Sequence, residues 1–117
     1  ERRKQPIAYY HKDSGSGQTI HYILKKNANQ PIKFAVVGLG AGSLAAFARG
    51  PENGRAADEC VTYEINPLVE KIAREQFWYL PDYEARTGKK CEVRLGDARL
   101  TMEREEPQNY DVIFLDA

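Results

Sequence analysis

Two cysteines, two histidines, one tryptophan and one methionine in 117 residues leave little of the chemistry of a metal centre or a disulfide-stapled domain. A zinc site needs about four ligands, usually closely spaced Cys or His pairs, and a cystine framework needs more cysteines than Cys60 and Cys91. Each opens an apolar stretch, so both are expected to be reduced, semi-buried residues of a cytoplasmic protein. Charge of one sign is also missing. Seventeen basic and seventeen acidic side chains cancel, which removes the footprint of a nucleic-acid binder. No apolar run approaches the ~20 residues that span a bilayer, and no signal-peptide pattern opens the chain, so no direct membrane insertion by these residues is expected. A longer parent chain could still be membrane-tethered.

What is present is an ordinary globular composition, 42% hydrophobic and 29% charged, enough for one domain. Residues 1–17 read as an N-terminal arm and loop, with Ser14, Gly15, Ser16 and Gly17 as turn formers. Residues 18–117 read as one unit. A helix is predicted over Gln18–Lys26, where Ile20, Ile23 and Leu24 recur at helical spacing. Strands follow at Ile32–Val37, Cys60–Ile65, Cys91–Leu95 and Asp111–Leu115, and helical stretches at Leu44–Arg49 and Ala98–Glu106. Asn66-Pro67 supplies a helix start, and Leu68, Val69, Ile72, Ala73, Gln76, Phe77 and Leu80 trace one apolar face of a single helix. Gly50–Asp58 and Pro81–Lys90 read as polar connections.

Strand and helix alternating in this way predict an α/β fold: a Rossmann-like parallel sheet with helices on both faces, apparently truncated after the fourth strand. Half a sheet exposes an edge, so self-association, as in a homodimer, is one expectation and a longer parent chain the other.

The chemistry concentrates at strand ends. Gly38-Leu39-Gly40-Ala41-Gly42 follows the first strand, where glycines permit a sharp turn and a close ligand approach. The third glycine of a dinucleotide GxGxxG would fall at Ser43, so the spacing favours a nucleoside over a dinucleotide. Glu64 ends the second strand, where a carboxylate can accept both hydroxyls of a ribose. Asp97, followed by Ala98, ends the third; it can cap the next helix or meet an adenine amine. Asp116 follows the fourth strand at the carboxyl edge of the sheet. His21 reads as a packed or solvent-facing residue, and Phe77, Trp78, Tyr79 and Tyr83 as the core side and end of one helix.

This constellation resembles the class I S-adenosylmethionine-dependent transferases. More narrowly, Val36 to Leu44, Tyr63-Glu64-Ile65-Asn66-Pro67, Gly96-Asp97-Ala98-Arg99 and Tyr110 to Ala117 look like the spermidine synthase, or aminopropyltransferase, family. Tyr9-Tyr10-His11 and Asp13 to Gly17 look like the segment ahead of the glycine loop in its bacterial members, some of which are fused to membrane segments. The resemblance implies S-adenosylmethionine or its decarboxylated form as cofactor, no metal, and a small-molecule amine acceptor. It places Gly38, Gly40 and Gly42 beside the cofactor's tail, Glu64 on the ribose, Asp97 and Ala98 on adenine and Asp116 beside the reacting amine. Tyr10 and His11 could line a substrate entrance. Ala41 stands where the family usually carries an Asp that holds the aminopropyl amine, and Lys12 where it carries an acid, which keeps two alternatives open. One is methyl transfer; the other is a non-catalytic nucleoside-binding module.

Overall fold

A computed structural model describes residues 15–40 and 42–115. The first helix, α1, covers Gly15–Lys26 and starts three residues before the predicted boundary. Lys25 and Lys26 occupy its last turn, where cations suit the free carbonyl groups. Strands β1 (Lys33–Val37), β2 (Glu59–Glu64), β3 (Glu92–Leu95) and β4 (Val112–Leu115) form one sheet in the order β3-β2-β1-β4, every pairing parallel. The expected α/β Rossmann-like arrangement is therefore present. The chain runs outward from β1 through β2 to β3, then returns to add β4 on the other side of β1.

Helices cover the two faces unequally. Phe34, Val36, Cys60 and Phe114 point to one face, where they pack with Ile20 of α1, Leu44 and Ala45 of a 3-10 helix (Ser43–Phe47), and two further helices. Those are α2 (Pro67–Gln76), contributing Ala73, and α3 (Tyr79–Thr87), contributing Leu80 and Tyr83. Ala35, Val61 and Tyr63 face the other way, where they pack with Ala98 and Met102 of a short helix, α4 (Ala98–Arg104), together with Val37 and Tyr110. Both cysteines are free thiols, fully buried rather than semi-buried.

The largest departure from the sequence reading lies between 76 and 88. One continuous helix was expected through Leu80, with a polar connection after it; instead Phe77 adopts an extended conformation and a second helix, α3, occupies that connection. Pro81 sits in the first turn of α3, where its missing N–H is one that the helix would leave unpaired. Gly88 closes α3 in the left-handed conformation, φ 71°, with its N–H donating to the Glu84 carbonyl. The periodicity misleads because Ala73 and Leu80 enter the same core from two different helices. Leu68, Ile72 and Phe77, expected on the buried face, are exposed.

The predicted polar connection 50–58 ends in a buried ion pair. Asp58, fully buried, accepts from the Arg49 guanidinium at 2.7 and 3.0 Å and from the Ile32 and Arg49 backbone N–H groups at 2.8 and 2.7 Å. Arg49 extends the clamp to the Asn27 and Gln30 carbonyls beyond α1.

Candidate functional site

The carboxyl ends of β1, β2 and β3 open into a cleft of about 760 Å³. It lies beside the point where strand order reverses, the position at which open α/β sheets receive ligands. Val37, Gly38 and Gly40 come from the end of β1, Tyr63, Glu64 and Ile65 from β2, Val69 from α2, and Gly96, Asp97, Ala98 and Arg99 from the turn into α4.

The turn after β1 begins at once. Gly38 has φ 94°, a value that a side chain would strain, and its N–H reaches across to the Tyr63 carbonyl at 2.8 Å. Glu64 then locks the turn. Its Oε1 accepts the Leu39 N–H at 2.8 Å and its Oε2 the Asn66 N–H at 3.0 Å, so one carboxylate joins the glycine turn to the start of α2. Only 8% of the residue remains exposed. A carboxylate offers about four lone-pair sites, so two acceptor positions remain for a diol after these bonds. The Asn66 side chain caps α2 by accepting the Leu68 N–H at 2.9 Å, and Pro67 takes the first helical position.

Asp97 performs its capping role: Oδ1 accepts the Leu100 N–H at 3.1 Å, at the start of α4. Among the described residues no donor is bonded to Oδ2, which faces the cleft wall. Between the two carboxylates the lining is apolar, with Val37, Ile65 and Val69. Ile65 is 70% exposed and adds aliphatic surface to the cleft. A flat, uncharged heterocycle carrying a vicinal diol matches this combination of apolar walls and flanking acceptors.

Of the site residues read from the sequence, Gly38, Gly40, Glu64, Asp97 and Ala98 thus share one cleft. Gly42 sits elsewhere: it is left-handed at φ 83° and packs toward the helix-covered core, where an added Cβ would fall 2.9 Å from a Leu80 methyl. Tyr10, His11, Ala41 and Asp116 lie outside the described residues. A neighbouring cavity of about 500 Å³ shares Val37, Ala98 and Arg99 with the cleft and adds Met102, Glu103 and Leu115. It carries the opening toward the end of β4. Ile65, Val69 and Arg99 were not singled out as site residues, although Ile65 and Arg99 stand within the quoted motifs and could have been suspected on that ground. Val69 was counted among the helix-face residues, and only the fold turns it toward the cleft.

Among the described residues, no three His, Cys, Asp or Glu side chains gather as metal ligands, and no helix is long and apolar enough to cross a membrane. The chain matches no protein-family profile. It is 35% identical over 92 residues to a polyamine aminopropyltransferase of Vibrio vulnificus (strain CMCP6). The alignment takes in 75% of this chain but only 27% of that relative, so the chain corresponds to about a quarter of the longer protein. This chain is similar to part of a transferase, and its parallel α/β sheet fits that similarity.

Proposed function

We propose that the cleft binds the adenosine moiety of decarboxylated S-adenosylmethionine and serves aminopropyl transfer to a small amine. The observation that carries this reading is the convergence of Glu64, Asp97 and the glycine turn on one partly apolar cleft. The similarity to a polyamine aminopropyltransferase supports the same choice. Glu64 accepts the ribose hydroxyls through its remaining lone pairs, and Asp97 with Ala98 meets the adenine edge. Val37, Ile65 and Val69 shelter the ring.

In the transfer itself, the neutral nitrogen of the acceptor attacks the methylene carbon next to the sulfonium. A C–N bond forms and the C–S bond breaks, its electron pair returning to sulfur as methylthioadenosine leaves. The proton lost by the nitrogen passes to a carboxylate or to solvent. In this reading Asp116 holds the acceptor and takes that proton. The sulfonium is already a good leaving group, so most of the acceleration comes from holding both reactants in line. Supporting an approach from that side, the cavity toward the end of β4 reaches Leu115, the residue before Asp116.

Methyl transfer from S-adenosylmethionine is the second reading, favoured by Ala41 in place of an amine-holding acid. Calorimetry of the 117-residue protein against methylthioadenosine, S-adenosylmethionine, its decarboxylated form and NAD tests the nucleoside assignment. Binding of the adenosyl compounds and not of NAD is expected; absence of any adenosyl binding overturns both transfer readings. Incubation with the sulfonium donors and a diamine then separates them. Methylthioadenosine reports aminopropyl transfer, S-adenosylhomocysteine reports methyl transfer, and binding without either product reports a non-catalytic module.

A further inference from the structure

We infer that Glu105, with Arg94, Tyr63 and Tyr110, is a positioning device that fixes the α4 wall of the cleft from the far end of that helix. The inference rests on the nucleoside reading only for its ligand; the structural coupling stands apart from it.

Helix α4 needs such a device. It has seven residues, none of them buried, and a helix so short has little stability of its own. Its first turn nevertheless forms part of the cleft, through Ala98 and Arg99. The N-terminal end is held by the Asp97 cap. At the C-terminal end, Glu105 follows the last helical residue and turns its carboxylate back to the sheet. One oxygen accepts the Tyr63 hydroxyl, and the other accepts Arg94 Nη1 at 2.6 Å. Arg94 Nη1 also donates to the Tyr63 hydroxyl at 3.1 Å, and its Nε pairs with Glu92 at 2.5 Å. The Tyr63 and Tyr110 hydroxyls are 2.5 Å apart, which joins the segment after α4 to the same knot.

Tyr63 and Arg94 are lateral neighbours on β2 and β3, so the anchor is the sheet itself. The Arg94 and Glu105 side chains are 20% and 17% exposed, sheltered enough to weigh more than a surface pair. Tyr63 spans the device: its carbonyl holds the Gly38 N–H, and its hydroxyl holds Glu105. At ~1.5 Å per residue the knot acts on the cleft wall from roughly 10 Å away.

The test uses Glu105→Ala and Glu105→Gln, because Glu105 does not line the cleft. Hydrogen exchange at the Leu100 and Thr101 amides is expected to quicken about tenfold in Glu105→Ala, the loss of a charge-assisted tie. Methylthioadenosine affinity is expected to fall several-fold alongside. Glu105→Gln, which still offers an oxygen to Tyr63, should recover part of both. Glu84→Ala removes a similar carboxylate tie to Arg74 on the other side of the sheet and should change neither readout. Unchanged exchange at Leu100 and Thr101 in Glu105→Ala overturns the inference. Should that variant fail to fold, Tyr110→Phe decides by the same measurement, faster exchange supporting the device and wild-type exchange overturning it. A wild-type protein that binds no methylthioadenosine defeats the nucleoside reading, and the exchange rates then decide the inference alone.

Discussion

At the scale of single residues, two carboxylates do quite different work. Asp58 is closed off from solvent and satisfied four times over, twice by backbone N–H groups and twice by the Arg49 guanidinium. Removing one partner strands the other, so Asp58→Ala is expected to cost about 3–5 kcal/mol in a urea titration. Glu64 is also nearly buried, yet it borders the cleft and keeps acceptor capacity. Glu64→Gln cannot keep both oxygens as acceptors, because one becomes a donor facing the Leu39 or Asn66 N–H. At least a tenfold loss of methylthioadenosine affinity is expected by calorimetry, from loss of a charged hydrogen-bond partner. The position of Glu64 at a strand end was legible in the sequence, since a turn-forming glycine run and an acid one strand later make a recognisable spacing. Asp58 was not legible: a pairing across nine residues of irregular chain leaves no period to detect.

At the scale of elements, the strands were the readable part, because each is a short apolar run bounded by turn formers. The break between α2 and α3 was not, since helical periodicity counts apolar residues without knowing which helix carries them. The two glycines that border this region make a direct comparison. Gly88 is left-handed with open space where a Cβ would stand, so Gly88→Ala meets only backbone strain, about 1–2 kcal/mol. Gly42 is left-handed too, and its added Cβ would also press on Leu80. Thermal melts are expected to show Gly42→Ala lowering Tm more than Gly88→Ala does.

For the whole molecule, ionisation of buried phenols and a thiol sets an alkaline limit. Burial, then hydrogen bonds with Glu105 and Tyr110, pushes the Tyr63 phenol far above the ordinary tyrosine range. Burial raises Tyr83 and Tyr110 as well, and contact with Cys91 followed by burial raises the Cys60 thiol. Each of these groups keeps its proton in the folded state at a pH where the unfolded chain has released it. Stability from this source is therefore complete below the unfolded values, about 8.5 for Cys and 10 for Tyr. It is lost as pH climbs above them toward the raised folded values. Melting temperatures measured from pH 7 to pH 11 should fall from about pH 9 upward; a flat profile over that range would contradict the assignment. The four-residue polar knot was invisible before the fold was known, because Tyr63, Arg94, Glu105 and Tyr110 come together only once β2, β3 and α4 are in place.

The return of the chain to β1 has a consequence for how the protein comes into being. Lys33 and Asp111 exchange two hydrogen bonds across 78 residues, the Lys33 N–H donating to the Asp111 carboxylate and the Asp111 N–H to the Lys33 carbonyl. During synthesis, the β1–β2–β3 half can emerge and pair while β4 is still inside the ribosome. β4 then docks on the side of β1 away from β2. Long-range closure of this kind slows folding, and the nascent chain spends that interval with one side of β1 open to other partners.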